Sequence, residues 1–136
     1  MYNANPSATS YLYYRDVSDT QLKTLLNYAP VGVVMYANYG FIYYSSGVFD
    51  GCPSNYVSQY YINHAVVIIG YDTNGNWIIK NQWGTSWGEN GFATISKYYN
   101  CGLSLWVFQY SSNQPYSGNT DYTVTSFYAT TKQTNY

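Results

Sequence analysis

The fold of this chain is decided by residues 63–91, which read NHAVVIIGYDTNGNWIIKNQWGTSWGENG. Residues 65–71 are a short apolar run rich in β-branched side chains, which is typical of a buried strand. Residues 72–76 carry turn chemistry, and their Asn-Gly pair is the strongest short-range signal for a hairpin. Residues 77–80 are apolar again, so the sequence predicts a strand, a turn and a returning strand.

This hairpin brings His64, the only histidine of the chain, close to Asn81. The turn can use two to five residues, so the register stays open within a residue or two. A histidine that acts as a general base needs a partner that holds its ring in one tautomer. The asparagine oxygen can accept the ring N–H without adding charge, and an indole such as Trp83 can exclude water. A His–Asn pair of this kind usually activates a cysteine thiol.

Residues 63–66 (NHAV) and 80–91 (KNQWGTSWGENG) resemble the histidine and asparagine signatures of papain-like cysteine peptidases, the cathepsins among them. The resemblance implies that His64 is the base, that Asn81 orients its ring, and that Trp83 and Trp87 shield the pair. It also implies a mainly β α+β fold like the right-hand half of these enzymes. We therefore expect a twisted antiparallel sheet or open barrel of five to seven strands with one short helix.

The family's nucleophile lies in a Gln…Cys-Gly-Ser-Cys-Trp segment on the order of a hundred residues or more before the histidine. Only sixty-three residues precede His64 here, and they hold no such segment. We expect the C-terminal half of a papain-like peptidase, inactive by itself. Another protein chain would supply the helical, cysteine-bearing half, or the nucleophile is missing. The substrate of an active assembly would be a peptide.

The two cysteines, Cys52 and Cys101, are either buried free thiols or a disulfide. The segment Cys101-Gly102-Leu103 resembles a family segment whose cysteine is bridged to the loop before the histidine strand, which implies the disulfide. The bridge would stabilise the fold by roughly 4 kcal/mol in a chain-entropy estimate. It would also imply an oxidising compartment, lysosomal, vacuolar or secreted.

The resemblance also assigns a substrate pocket. By that match Val34, in the segment PVGVV, and Ala65 line the pocket for the second substrate residue. Trp106 falls near its floor, where the family has a smaller residue, and would fill much of the pocket. Gln82 stands where the family usually has serine.

The rest of the chain supports one domain, residues 1–113, with a polar Tyr- and Thr-rich tail at 114–136. A capping box at Ser18 and Gln21 predicts a short helix near residues 18–28. Residues 1–10 are expected to form a loop, and the uncharged stretch 24–49 to form strands and turns rather than a membrane span. Other strands are expected near residues 11–14, 30–35, 92–96 and 103–110.

The amino-acid composition indicates which classes of partner the chain can bind. Charged residues make up 8% of the chain and the net charge is −1, so neither a nucleic-acid surface nor a basic membrane patch is indicated. Aromatic residues make up 21%, including 20 tyrosines, which suits contact with other proteins. This composition, with Gln82 and Trp106, favours an alternative: a catalytically inactive papain-like module that serves as a structural or interaction protein in a larger assembly.

Two further motifs are weaker. Residues 84–88 (GTSWG) match the Gly-x-Ser-x-Gly nucleophile elbow, but turn residues follow and the histidine comes earlier, contrary to that motif. His64 with Cys52 and Cys101 offers three zinc ligands without the usual paired spacing. We expect no metal and no cofactor.

Overall fold

The computed structural model of the chain describes residues 8–53 and 56–112. Their fold is a sheet of seven strands with two short helices and a single 3₁₀ turn at Gln59–Tyr61. The strands and helices, in chain order, are β1 (Ala8–Arg15), α1 (Asp19–Leu26), β2 (Val31–Met35), α2 (Tyr39–Ile42), β3 (Val48–Phe49), β4 (His64–Tyr71), β5 (Trp77–Lys80), β6 (Phe92–Ile95) and β7 (Trp106–Ser112).

The seven strands form one twisted sheet in the order β1-β7-β2-β4-β5-β6-β3. Neighbouring strands are antiparallel except β3 and β6, which pair in parallel. Alternate side chains of β2, β4, β5 and β6 are buried, so one face of the sheet packs against the core. The expected mainly β architecture with a short helix is confirmed.

Helix α1 packs its apolar face on the inner side of the sheet. Its start is fixed by the predicted capping box, in which Ser18 and Gln21 exchange hydrogen bonds of 3.1 and 3.2 Å. Leu22, Leu25 and Leu26 are almost fully buried. At the other end, the Gln109 side chain donates to the carbonyl of Leu25 at 2.7 Å, which satisfies a terminal acceptor.

Two local expectations were wrong. The stretch 24–49 contains a helical turn, α2, because the Asn38 side chain accepts the Phe41 N–H at 3.0 Å and caps its start. Strand β1 begins at Ala8 rather than after residue 10, because it pairs with β7 as far as Ser112. The predicted tail 114–136 lies outside the described residues.

The predicted disulfide is confirmed: Cys52 and Cys101 are bonded, with their Cα atoms 5.4 Å apart. The Tyr36 N–H donates to the Cys101 carbonyl at 2.8 Å. The bridge therefore fixes the loop after β3 and the segment before β7 against the end of β2.

In the part of the chain that the structure describes, no helix is long and apolar enough to cross a membrane.

Candidate active site

The β4–β5 hairpin places the predicted site. Its pairing runs from Tyr71↔Trp77 at the turn to Val67↔Lys80, with an irregularity between Ile68 and Gly70. Beyond Val67 and Lys80 the two strands no longer pair, and His64 and Asn81 lie on either side of this opening. The structure therefore fixes the register that the sequence left open.

His64 and Asn81 are in direct contact, with His64 Nε2 2.8 Å from Asn81 Oδ1. An amide oxygen only accepts hydrogen bonds, so Nε2 carries the ring proton and Nδ1 is left as the basic nitrogen. The Asn81 side chain is 5% exposed, so little water competes for this bond. The pair thus has the fixed tautomer and the protected hydrogen bond that an oriented general base requires.

Aromatic rings cover this pair. The Trp83 indole stacks on the His64 ring, with centroids 4.5 Å apart and planes 27° apart. Trp87 meets Trp83 edge-on at 5.4 Å and packs 4.9 Å from the Phe41 ring. The Trp87 Nε1–H is shared between the Phe41 and Ile42 carbonyls at 3.2 and 3.0 Å, which ties the loop after β5 to α2.

Asn63, the residue before His64, ties the start of β4 to the chain after β2, a contact that the sequence did not predict. Its side chain accepts from the Ala37 N–H at 2.8 Å and donates to the Ala37 carbonyl at 3.1 Å. Its own N–H donates to the Met35 carbonyl at 3.1 Å. A polar residue next to the base was the available signal, but its partner lies 26 residues away.

The predicted pocket residues Val34 and Ala65 are cross-strand neighbours on β2 and β4. The adjacent pair in the same ladder is Met35↔His64, so Val34 and Ala65 lie one step from His64. Met35 is fully buried, whereas Val34 is half-buried and Ala65 is exposed. Val34 and Ala65 therefore belong to the outer face of the sheet.

Trp106 extends this row across β7. Strand β7 pairs with β2 through Val33↔Val107, and the same antiparallel register places Trp106 opposite Val34. The Arg15 guanidinium lies over the Trp106 ring, 5.8 Å from its centroid. The Trp106 indole thus lies in the row of Val34, next to Arg15.

Comparison with known proteins identifies the family. The family model for papain family cysteine protease matches residues 2–110. This chain belongs to that family. Its relatives include the senescence-specific cysteine protease SAG12 of Arabidopsis thaliana, which is 42% identical over 115 residues, or 74% of this chain and 32% of that protein. Mouse cathepsin K is 35% identical over 116 residues, or 76% of this chain and 34% of that protein.

Solved structures of the family share the fold. The bromelain protease from Ananas comosus, in complex with the E64 inhibitor, superposes with a TM-score of 0.60 at 32% identity. The match covers 74% of this chain and 50% of bromelain. The papain-family resemblance is therefore confirmed, and the chain corresponds to the C-terminal part of such a peptidase. It spans about a third of the length of the curated relatives cited above.

A buried tyrosine fixes the far side of the tryptophan loop in this papain-family chain. The Tyr44 hydroxyl lies 2.7 Å from the Gly47 carbonyl and 2.9 Å from Glu89 Oε1, and it accepts the Thr94 N–H at 3.3 Å. Burial raises the pKa of Tyr44 to about 12; the Glu89 carboxylate adds to the rise, and the Thr94 N–H opposes it. Tyr44 stays neutral at physiological pH and can donate to Glu89.

This papain-family chain has no free thiol, because both of its cysteines form the disulfide. Neither can act as the nucleophile or as a thiolate ligand of zinc. Within residues 8–53 and 56–112, no cluster of three or more histidine, cysteine, aspartate or glutamate side chains could hold a metal ion.

Proposed function

We propose that this chain is the base-bearing half of a papain-like cysteine peptidase, and that residues outside this sequence supply the nucleophilic cysteine and the oxyanion glutamine. The observation that carries the proposal is the 2.8 Å contact between His64 Nε2 and Asn81 Oδ1. It leaves Nδ1 of His64 as the basic nitrogen. Membership of the family supports a thiol as the group that this nitrogen would meet.

The chemistry follows from this arrangement. Nδ1 of His64 takes the thiol proton, and the thiolate attacks the peptide carbonyl carbon. The proton then passes from the imidazolium to the leaving amine as the C–N bond breaks, which leaves a thioester. Water, with its proton drawn by His64, hydrolyses the thioester and restores the thiol. Asn81 keeps the ring aligned through both steps, and Trp83 keeps water from their hydrogen bond.

The surface beside the pair supports a protein partner. Large apolar side chains are exposed there: Trp83 is 39% exposed, Ile42 42%, and Tyr39 and Tyr43 are each 80% exposed. Such a group of exposed aromatic and aliphatic side chains is typical of a surface that another protein covers. We propose that it packs against, or borders the cleft with, the helical half that bears the cysteine.

The test is native mass spectrometry of the protein isolated from its source, after labelling with an epoxide or vinyl sulfone that traps active-site thiolates. We expect either a second, labelled chain in the complex or a longer product of the same gene that carries the label. Replacing His64 with alanine should abolish labelling, because the thiolate would lose its base. A matched control is Thr85→Ala, an exposed residue on the same loop, which should label normally.

A labelled thiol that survives His64→Ala unchanged would contradict the proposed role of His64. A purified assembly that takes no label at all would contradict the peptidase function as a whole.

The alternative is a catalytically inactive module that serves as a structural or interaction protein. The observation in its favour is the Trp106 indole, held by Arg15 on the row of Val34, which narrows the space for a substrate side chain. Under this alternative the complex forms with His64→Ala as with the wild type, and no partner carries a reactive thiol at the interface. The same labelling experiment therefore separates the two functions.

The disulfide supports an oxidising location, and we propose a lysosomal, vacuolar or secreted protein.

A further inference from the structure

Gln82 makes two hydrogen bonds that together hold the His64–Asn81 pair. Its backbone N–H donates to Asn81 Oδ1 at 2.9 Å. Its side-chain Nε2 donates to the Ala65 carbonyl at 2.8 Å, across 17 residues of sequence. One residue thus contacts the orienting amide and the strand residue that follows the base.

The side-chain bond fills a gap in the sheet. The β4–β5 ladder ends at Val67↔Lys80, so Ala65 has no partner residue in β5. On its other edge, β4 continues to pair with β2 as far as His64. The Gln82 side chain therefore extends the connection between the two hairpin arms beyond their last backbone pair, to the residue next to His64.

The backbone bond decides which way the Asn81 amide faces. A backbone N–H is only a donor, so the Asn81 atom opposite it must be the oxygen and not the NH₂ group. The same oxygen faces His64 Nε2, so Nε2 must be the protonated ring nitrogen. The position of the Gln82 backbone thereby selects the tautomer of His64.

We propose that Gln82 is a positioning residue for His64: its side chain anchors residue 82 to β4, so that its N–H holds Asn81 Oδ1 against Nε2. This role rests on the proposed function, in which Nδ1 must be the basic nitrogen. Loss of the side-chain anchor would loosen residue 82, weaken the orientation of the amide, and let the tautomer with the proton on Nδ1 appear.

The experiment measures the tautomer directly, without any thiol or substrate. His64 is the only histidine of the chain, so its two ring nitrogens can be assigned unambiguously in ¹⁵N NMR spectra of the oxidised 136-residue chain. The spectra are recorded at a pH where the ring is neutral. In the wild type we expect the Nε2–H form to predominate.

The variants are Gln82→Met, which keeps the length of the side chain without its donor, and Gln82→Ala. Both should raise the ratio of the Nδ1–H form to the Nε2–H form by roughly three- to tenfold, the range expected for the loss of one hydrogen bond. Thr85→Ala, on the same exposed loop, should leave the ratio within twofold of the wild type.

A ratio in folded Gln82→Met and Gln82→Ala that matches the wild type would overturn the proposal. Because a variant can fail to fold, the wild type gives a second test: the Gln82 side-chain amide protons should exchange with solvent more slowly than those of the exposed Gln59. Equal exchange rates would also overturn it. If Gln82→Met shifts the tautomer but the native assembly takes no thiolate label, the positioning role stands and the peptidase function fails.

Discussion

The two ends of the β4–β5 hairpin are held in opposite ways. At the turn, most side-chain contacts come from Asp72: its Oδ1 accepts the N–H groups of Asn74 and Asn76, each at 2.9 Å, and its Oδ2 accepts from the Asn76 side chain at 3.2 Å. Lys97 adds two bonds from outside the hairpin, to Asn76 Oδ1 at 3.1 Å and to the Asn74 carbonyl at 2.6 Å. At the open end, His64 depends on residues that are distant in sequence. The turn is therefore held mainly by local contacts, whereas the candidate site depends on contacts from several parts of the fold.

Distant contacts set the open end from both sides. The Asn63 side chain pairs with Ala37, 26 residues earlier, and the Trp87 Nε1–H reaches the carbonyl of Phe41, 46 residues earlier. Changes far from the site should therefore disturb it, while changes at the turn should be absorbed locally.

Removal of the disulfide should have the largest effect. In Cys52→Ala/Cys101→Ala, the unfolded chain gains the freedom of a loop closed over a sequence separation of 49, and we expect a loss of about 4 kcal/mol in the free energy of unfolding. Urea unfolding of the variant and the oxidised wild type measures the loss. A loss below about 1 kcal/mol would show that the bridge contributes little to this end of the fold.

Two glycines provide a matched comparison of the two ends. A Cβ at Gly88, where φ is +59°, would lie 2.6 Å from the backbone oxygen of Phe92. A Cβ at Gly75, where φ is +86°, would meet the flexible side chains of Lys97 and Lys23, at 3.4 and 3.6 Å. Gly75→Ala should cost about 1 kcal/mol for the backbone conformation. Gly88→Ala should cost about 3 kcal/mol, because overpacking adds to the same backbone cost. If urea unfolding gives the same loss of stability for both variants, the two ends of the hairpin do not differ in their tolerance of an added side chain.

Tyr44→Phe tests the far side of the tryptophan loop. At neutral pH we expect a loss of about 2 kcal/mol, because Glu89 and the Thr94 N–H lose a buried hydrogen-bond partner. Burial raises the pKa of Tyr44 to about 12, above its unfolded value near 10. Its contribution is therefore full below pH 10 and lost as pH rises towards 12, so the stability difference between wild type and variant should shrink over that range. A difference that stays constant from pH 9 to about 12 would contradict this account.

Asp72→Asn should have the smallest effect, a loss of stability at neutral pH that disappears in acid. Desolvation tends to raise the pKa of Asp72, but hydrogen bonds from Asn76 and Asn74 outweigh it and hold the pKa below its usual value of 3.8. The carboxylate therefore stabilises the fold above that value, and this contribution is lost as pH falls through the lower, folded pKa. Below pH 3.8, the midpoint temperature of thermal unfolding should fall more steeply with pH in the wild type than in the variant. If the unfolding temperatures of the wild type and the variant fall equally with pH, the Asp72 charge does not stabilise the turn.

The sequence predicted what local patterns specify. The hairpin, its Asn-Gly turn and the capping box at Ser18 follow from short-range chemistry, and the structure has each of them. The hairpin pattern also placed His64 close to Asn81, and the family resemblance supplied the roles of these two residues and the disulfide. Helix α2 was missed because its cap, Asn38, lies in an aromatic stretch without helical periodicity.

Positioning residues were beyond reach of the sequence for a different reason. Asn63 acts on the backbone of Ala37, and Gln82 acts on the backbone of Ala65. Almost every residue offers a backbone carbonyl and an N–H, so the type of the partner residue does not reveal a hydrogen bond to its backbone. Such contacts appear only when the sheet register is known.

The order of the strands also bears on how the molecule assembles. Tyr71 and Trp77 pair across six positions, whereas Ala8 and Ser112 pair across 104. Closing the longer loop costs about 2.5 kcal/mol more in chain entropy, and non-local pairings of this kind slow folding. We therefore expect the hairpin that carries His64 and Asn81 to form early and the pairing of β1 with β7 to form late.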